Sequence, residues 1–383
     1  MLRFIQLIFL TIIAAFADSP AEAIGNERWR AHGLNRSLDA SAATWDRLNQ
    51  RLMAGHPMLD SRFIDAMLRH FGDSSERLCQ LERDGEVVGM CILRRAKPGV
   101  WATFLPSQTQ LGPAILADPA DLAGLPTQLP GLAGQVDLLC QDPDFSPAFQ
   151  CTGIPCQTKT HALTMSIRLE GDFDTYWSDR PKNLRASMRK RENRLSKGEL
   201  QPRVVRIDQA SAMSAAVERF GALESAGWKG RAGTAVSSDN AQGPFYRDLM
   251  EAFAATGQAV AYEYWLGERL AASQLAITSG TMMVLLKTTY DEELASFSPG
   301  RLLLREVIAD AFQRLPGGVI EFYTNADADQ LAWATDQRWI EHISLYRNQL
   351  VERLATAFRT TRRFAQGFGH GPETRAAASA QEG

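Results

Sequence analysis

The fold is decided by residues 260–323, which read VAYEYWLGERLAASQLAITSGTMMVLLKTTYDEELASFSPGRLLLREVIADAFQRLPGGVIEFY. Four runs rich in apolar residues predict strands, at 260–266, 270–277, 281–290 and 319–323. Between the last two, residues 291–299 are predicted to be a loop. Apolar residues at helical spacing then predict an amphipathic helix over 300–314, which Pro316-Gly317-Gly318 ends.

The flanks of this run extend the same pattern. A helix is predicted before it at 244–255, and a short helix at 327–335 and a strand at 339–346 are predicted after it. Three antiparallel strands, a helix, a strand, a helix and a strand form a mixed α/β sheet with one crossover.

The first half of the chain repeats the beginning of this order. Its predicted helices are at 42–53 and 61–71, and its predicted strands are at 101–104, at 136–140 and on both sides of the Asp84-Gly85 turn. Residues 105–134, rich in proline and glycine, are predicted to be a long surface segment. The repeated order of helix, strand, tight turn and strand predicts two tandem units of the same fold.

Charge is distributed unevenly along the chain. The 383 residues carry a formal net charge of -3, which argues against a general nucleic-acid binder, and no DNA partner is expected. Residues 180–197, in contrast, contain eight Lys/Arg and a single acid, Glu192, for a local charge of +7. Proline near its start and Gly198 just after it predict that this stretch is a helix, either a solvated charged face or a surface for a phosphate-bearing partner.

Cysteine and histidine give no metal signal. The five cysteines match neither metal knuckles nor a redox pair, so they are predicted to be reduced and mostly buried. The six histidines are scattered, without a local pairing that suggests zinc, and no metal is expected.

Residues 1–23 resemble a secretory signal, with Arg3, an apolar run and Ala21-Glu22-Ala23, but the run is too short for a membrane span. Retention in the cytoplasm is expected, with export as the minority alternative and membrane contact possible through this leader. Residues 351–383 are predicted to hold the end of a helix and a disordered tail.

Four stretches together resemble the GNAT superfamily, in particular its BioF2-like acetyltransferases and FemAB-type peptidyltransferases. They are the basic segment KNLRASMRKRENR at 182–194, ESAGWKG at 224–230, the segment from Tyr290-Asp291 to SPGRLL at 298–303, and the strand-plus-Trp333 element after Phe322. The resemblance implies a degenerate N-terminal GNAT-like domain at 24–165 and a C-terminal GNAT domain at 166–350.

In GNAT enzymes the pantetheine arm of the acyl donor lies between two splayed strands, here 281–290 and 319–323, and its pyrophosphate lies at the N-terminus of the helix between them. That position suits an anion, because free N–H groups and the helix dipole favour negative charge there. The resemblance therefore implies cofactor-binding roles for Ser298, Gly300, Arg301 and Leu302. No permanently bound cofactor is implied, and acetyl-CoA or another acyl-CoA is the expected co-substrate. The usual GNAT loop has two small residues where this chain has one glycine after a proline, and FemAB-type relatives use an aminoacyl-tRNA donor instead, so tRNA is the alternative partner.

Candidate acid and base groups are Tyr290, Asp291, Glu224 and Asp327, since acyl transfer to an amine needs a base for the ammonium proton and an acid for the leaving group. No Cys–His or Ser–His pair marks a covalent nucleophile, which favours direct attack in a ternary complex. The candidate substrate-binding residues are basic or aromatic: Lys182, Arg185, Arg189, Trp228, Lys229 and Trp333.

The resulting hypothesis is an acyltransferase that moves an acyl group from acyl-CoA to an amine or hydroxyl on a small molecule or glycan, in cell-surface polysaccharide or precursor metabolism. The alternatives are a FemAB-type transferase that uses aminoacyl-tRNA and a non-catalytic accessory protein of polysaccharide biosynthesis.

Overall fold

The computed structural model describes residues 28–146, 155–197, 201–227, 235–237 and 239–357. The strands are β1 (Arg28–Gly33), β2 (Arg77–Arg83), β3 (Glu86–Lys97), β4 (Val100–Thr103), β5 (Ala114–Ile115), β6 (Gln135–Gln141), β7 (Cys156–Arg168), β8 (Pro202–Ile207), β9 (Ala259–Leu266), β10 (Arg269–Ser279), β11 (Met282–Tyr290), β12 (Val319–Glu321) and β13 (Asp336–Tyr346). The helices are α1 (Ala42–Leu52), α2 (Ser61–Phe71), α3 (Leu125–Gln128), α4 (Phe173–Ser178), α5 (Lys182–Ser196), α6 (Ala210–Ala226), α7 (Gln242–Ala254), α8 (Pro299–Arg314) and α9 (Ala328–Leu331). Short 3-10 helices occur at Asp39–Ser41, Pro57–Leu59, Pro119–Leu122 and Glu292–Phe297.

All of these strands belong to one mixed sheet, in the order β1-β2-β3-β4-β6-β13-β7-β12-β11-β10-β9-β8, with β5 paired to β3. β7 closes the first half of the chain, yet it lies between β12 and β13 of the second half. β13 closes the second half, yet its other edge pairs with β6 of the first half. The two tandem units therefore exchange their last strands and share one continuous sheet, and the predicted boundary between residues 165 and 166 falls inside β7.

The predicted helices and strands of both halves are present within a few residues of their expected ends, and the Asp84-Gly85 turn joins β2 to β3. Seven strands and helices were not predicted: β1, β5, β7, β8, α3, α4 and α6. The predicted loop at 291–299 contains the 3-10 helix Glu292–Phe297.

The prediction for residues 105–134 was wrong. Leu111, Ile115, Leu122 and Leu125 from this segment are at most 5% exposed, and β5 and α3 lie within it. Proline and glycine interrupt the apolar spacing of the segment, and that interruption hid its buried residues from a periodicity argument.

Three apolar clusters fill the space around the sheet. One joins α1 and α2 of the first half to α6 and α7 of the second half across a single face. The other two lie on the opposite face, one under α4, α5 and α8 and one under α3. A core that is continuous across both halves makes the two units one packing unit on that face.

The cysteines that are free and buried are Cys79, Cys91 and Cys140. Cys156 is disulfide-bonded, which corrects the expectation of a reduced thiol at that position. Among the described residues, no helix has the length and apolar character needed to cross a bilayer. The predicted leader and the disordered tail both lie outside the described residues.

A buried charged group, Arg338 on β13, joins the two halves. Its Nε donates to Asp142 at 2.7 Å and its Nη2 donates to Glu321 at 2.9 Å. Asp142 follows β6 and Glu321 ends β12, and their side chains are 0% and 4% exposed. Burial opposes the charge of Arg338, but its hydrogen bond to Asp142 and the attraction of Glu321 raise its pKa. Burial also raises the pKa of Glu321 to about 7, against the opposing effect of Arg338.

We expect Arg338→Met to lower the free energy of unfolding by about 3–5 kcal/mol, because it leaves two buried carboxylates without their counter-charge. Urea unfolding at a fixed pH measures this loss. The matched control is Arg168→Met, which removes an ion pair to Asp336 whose side chains are 60% and 40% exposed. Arg168→Met should lower the free energy of unfolding by less than about 1 kcal/mol, because the ion pair that it removes is exposed. Equal losses of stability in the two variants would contradict the role given to Arg338.

Candidate active site

Two neighbouring strands separate in the middle of the sheet. β11 and β12 pair in parallel over three residue pairs, from Met282 with Val319 to Val284 with Glu321. β11 then continues to Tyr290, while β12 has ended. Against β10, β11 also carries one extra residue, Leu286, which makes a β-bulge at the point of separation.

The separation opens a cleft of about 840 Å³. One wall is β11 from Leu285 to Tyr290, and the other is the chain at 322–324 after β12. Ser298, Gly300 and Arg301 at the start of α8 lie along the cleft, and Gln110 from the first half also lines it. Because no strand among the described residues pairs with this edge of β11, its backbone groups can bind an extended ligand as an added strand would.

The start of α8 presents free donor capacity to the cleft. Ser298 has φ +53° and makes no side-chain cap, so it ends the 3-10 helix Glu292–Phe297 without closing the first turn of α8. Pro299 has no N–H, and the N–H groups of Arg301 and Leu302 both bond to the Ser298 carbonyl. The Gly300 N–H has no backbone acceptor in the part of the chain that the structure describes. A helix of 16 residues adds the positive end of its dipole at this point.

Positive side chains gather at the same end of the cleft. Arg301 pairs with Asp329 at 2.5 Å. Burial and the nearby charge of Arg301 lower the pKa of Arg191, which lies on α5. Arg194, one turn further along α5, donates to the Ser296 carbonyl at 3.3 Å. The C-terminal part of the basic helix is therefore held against the segment that leads into α8.

The other predicted basic residues lie elsewhere. Arg185 and Arg189 line a separate cavity of about 260 Å³, together with Asp174, Glu192 and Arg305. Lys182 is exposed at the start of α5. The face of α5 singled out from the sequence is thus a different one from the face that adjoins the cleft.

Among the four candidate acid or base residues, Tyr290 and Asp327 line the cleft. Asp327 caps α9, where its carboxylate accepts from the Gln330 N–H at 2.8 Å. Asp291 is turned away into an ion pair with Arg269 at 2.5 Å and caps the 3-10 helix Glu292–Phe297. Tyr290 is 46% exposed, and its ring covers Gly300 at the end of the cleft where α8 begins.

Glu224 reaches the cleft only through a partner. It is 2% exposed on α6, accepts from the Val236 N–H at 2.7 Å, and pairs through both oxygens with Lys287 Nζ at 3.2 Å. Lys287 lines the cleft from β11. This geometry makes Glu224 a buried counter-charge that positions Lys287.

The remaining predicted binding residues divide into three cases. Trp333 lines the cleft but is 2% exposed, and its carbonyl accepts from the Tyr176 hydroxyl at 2.7 Å. Leu302 does not line the cleft and packs in the core beneath α8, which corrects the expectation that it contacts a cofactor. Trp228 and Lys229 lie outside the described residues.

Gln274 and Tyr323 are among the cleft residues that were not predicted from the sequence. Gln274 is 3% exposed on β10, its Nε2 donates to Thr288 at 2.9 Å, and its buried Oε1 has no hydrogen-bond partner within the described part of the chain. Tyr323 has φ +46° just after β12 and lies on the cleft wall. Neither residue belongs to a recognisable sequence motif. Each lies in the cleft because of how its strand is arranged in the sheet, which its neighbours in sequence do not show.

Tyr323 also belongs to a buried hydrogen-bond chain between the two halves. The Met58 N–H donates to His56 Nδ1 at 3.2 Å, so the neutral ring carries its proton on Nε2 and donates it to the Tyr323 oxygen at 2.8 Å. The Tyr323 hydroxyl then donates to Asp142 at 2.7 Å. Burial lowers the pKa of His56 to about 3, and burial together with Asp142 raises the pKa of Tyr323, so both groups keep these protonation states near neutral pH.

The sequence of residues 182–329 matches the family described as acetyltransferase (GNAT) domain. The second half of the chain contains a GNAT domain. The match includes β11, α8 and β12, which form the cleft, and it supports an acyltransferase activity.

Solved structures extend the likeness in fold to both halves. The chain is similar to FemX, with a TM-score of 0.54 and 10% identity over 85% of this chain and 99% of that one. It is also similar to a conserved protein of unknown function from Bacteroides thetaiotaomicron, with a TM-score of 0.50 and 9% identity over 82% and 99%. No curated protein sequence matches the chain significantly.

We expect Gln274→Met to weaken the binding of acetyl-coenzyme A to the GNAT domain about fivefold, since it removes one hydrogen-bond acceptor worth about 1 kcal/mol. The same change should alter the free energy of unfolding by less than about 1 kcal/mol, because it removes both the hydrogen bond to Thr288 and a buried oxygen that lacks a partner, and these effects oppose each other. Calorimetry and urea unfolding measure the two effects.

The matched control is Ser273→Ala on the same strand. Ser273 Oγ is also buried without a partner, but Ser273 does not line the cleft. This control should keep full affinity, and an equal loss of affinity in both variants would refute the assignment of Gln274.

Proposed function

We propose that the protein transfers an acyl group from acyl-CoA to an amine or hydroxyl acceptor, with the donor bound between β11 and the chain after β12. The observation that carries this proposal is the cleft itself, which opens where β11 and β12 separate and has the start of α8 at one end. The coenzyme has an anionic pyrophosphate joined to a long amide-bearing arm, and the cleft offers a cationic end joined to an unpaired strand edge.

In this arrangement the pyrophosphate binds at the Gly300 N–H, beside Arg301 and Arg191. Free backbone N–H groups and the helix dipole favour an anion at this position, and the two guanidinium groups add charge-assisted hydrogen bonds. Arg301 exchanges its exposed partner Asp329 for the phosphate. That exchange is inexpensive because surface ion pairs contribute little.

The pantetheine amides bind the free edge of β11 between Leu285 and Tyr290. The thioester then lies near the bulge at Leu286, where Gln274 and Tyr323 line the wall. Tyr290 covers Gly300 and so stands at the phosphate end, which makes it a donor-binding residue and not the group that moves the proton of the acceptor.

The reaction forms a bond between the acceptor nitrogen or oxygen and the acyl carbon, and it breaks the bond between that carbon and sulfur. The acceptor nitrogen or oxygen loses one proton to solvent, and the thiolate leaving group takes one proton from solvent. The Tyr323 hydroxyl stays protonated because burial raises its pKa, and it donates that proton to Asp142, so Tyr323 holds the cleft wall in place and does not act as a base.

An aminoacyl-tRNA donor is the second candidate, and one observation favours it. Lys182, Arg189, Lys190 and Arg194 of α5 are exposed, so positive charge continues along this helix beyond the cleft. A nucleic-acid donor predicts binding that weakens steeply with salt. Tight, steeply salt-dependent binding of tRNA without measurable binding of coenzyme A would favour this candidate over the first.

We expect Gly300→Glu to abolish measurable binding of coenzyme A, because it places a carboxylate where the pyrophosphate binds. Isothermal titration calorimetry of the folded variant measures the effect. The atoms nearest to an added Cβ at Gly300 belong to the Tyr290 side chain, at 3.7 Å and beyond, which is ordinary van der Waals contact, so the fold tolerates a side chain at this position.

Gly300→Ala is the matched control for that experiment. This variant adds the same Cβ without a charge. Its affinity for coenzyme A should stay within about threefold of the wild type, because a small neutral contact costs little. Wild-type affinity in Gly300→Glu would overturn the placement of the phosphates.

Two double variants distinguish the faces of α5. We expect Arg191→Gln with Arg194→Gln to lower the affinity for coenzyme A at least about tenfold and to make its salt dependence shallower, since charge-assisted hydrogen bonds contribute about 1.5–3 kcal/mol each. Arg185→Gln with Arg189→Gln changes the same number of charges on the separate cavity and should have a much smaller effect. The reverse order of effects would move the phosphate site to the face predicted from the sequence.

A further inference from the structure

Three side chains with metal-binding chemistry meet on adjacent strands at the junction of the two halves. They are Cys140 on β6, His342 on β13 and His161 on β7. One ligand atom from each lies within 4.8 Å of the other two. Cys140 is buried, His342 is half-buried and His161 is exposed, so the cluster extends from the sheet to the solvent.

Irregularities in both flanking strands bring these side chains together. Between β13 and β6 the register moves from Glu341 with Gln141 to Ile343 with Leu138, so β6 has one extra residue beside His342. On the other side of β13 the register moves from Ile340 with Ala162 to Glu341 with Thr160, so His161 is the extra residue of β7. Bulges of this kind redirect side chains, and they are frequent next to functional sites.

The backbone at Cys140 is also unusual. Its φ of +49° lies in the left-handed region, which a residue with a side chain rarely adopts. The same conformation points its N–H at His342 Nδ1, at 2.9 Å. The rings of His161 and His342 are stacked, with centroids 4.2 Å apart and planes 27° apart. One hydrogen bond and one stacking contact thus hold both imidazoles beside the thiol.

We propose that Cys140, His161 and His342 bind one Zn²⁺ ion. A thiolate and two imidazoles are the ligand types that Zn²⁺ prefers, and water completes a tetrahedral set on the exposed side of His161. On binding, the thiol proton passes to solvent and a Zn–S bond forms, with no change of oxidation state. One ring nitrogen of each histidine donates its lone pair to the ion.

The ion would connect three strands across the place where the halves exchange their last strands. β6 belongs to the first half, β13 to the second, and β7 links them. Because the three ligands are together only in the folded sheet, zinc stabilises the native state by mass action. The local pattern of the sequence could not indicate this site, since its ligands are separated by 21 residues and by 181 residues along the chain.

The test uses the full chain without a polyhistidine tag, freed of metal by chelation and then titrated with Co²⁺ and Zn²⁺. We expect one Co²⁺ per chain, with a thiolate-to-cobalt charge-transfer band in the near ultraviolet. Zn²⁺ should compete for the same site and raise the melting temperature. In Cys140→Ser the charge-transfer band should be absent.

His161→Ala is the decisive variant, because this exposed side chain can be removed without disturbing the core. It should bind Zn²⁺ about a hundredfold more weakly than the wild type while melting at the same temperature in chelator. His32→Ala, an exposed histidine on β1, is the matched control and should bind as the wild type does. A wild type that binds no metal, or one that binds no more tightly than His161→Ala, overturns the proposal.

Discussion

The guanidinium of Arg338 is the interaction on which the arrangement of the two halves depends. It holds two buried carboxylates, one at the end of a first-half strand and one at the end of a second-half strand. A buried cation of this kind tolerates little displacement, because any shift leaves a charge without its partner in a medium of low dielectric. Asp142 also accepts from Tyr323, so the same network fixes the point at which the chain leaves β12 and the cleft begins.

The cleft follows from how this sheet is built. β12 is only three residues long, and β11 beside it is nine residues long and bulged at Leu286. A short strand against a long, bent one leaves an unpaired edge that must be covered, solvated or used. Here the edge opens onto the start of α8, where the Gly300 N–H also has no backbone acceptor among the described residues. Two unsatisfied features of the backbone thus meet in one place, and both suit an extended anionic ligand.

Much of the second half could be predicted from the sequence, because strands and helices of its GNAT domain follow one another in chain order with clear periodicity. The resemblance to GNAT enzymes singled out Ser298, Gly300 and Arg301 at a helix start between two apolar strands, and all three line the cleft. Gln274 and Tyr323 could not be found, because their roles depend on which strand lies opposite. The strand exchange of β7 and β13 was equally hidden, since the apolar pattern of a strand does not specify its partner.

The basic helix turns toward the cleft a face other than the one that the spacing of Arg185 and Arg189 indicated. Arg185 and Arg189 are four residues apart and do share one side of α5, as the spacing required. Which side of a helix meets the cleft is decided by its three buried apolar residues, Leu184, Met188 and Leu195. The apolar residues pack into the core under α5. Because of that orientation, Arg191 lies near Arg301, and Arg194 lies beside the segment that precedes α8. The packing of the apolar stripe, and not the density of charge, therefore determines which cations of α5 can reach a ligand in the cleft. Because α5 is so rich in arginine, some arginine side chains adjoin the cleft whichever face of the helix is turned toward it.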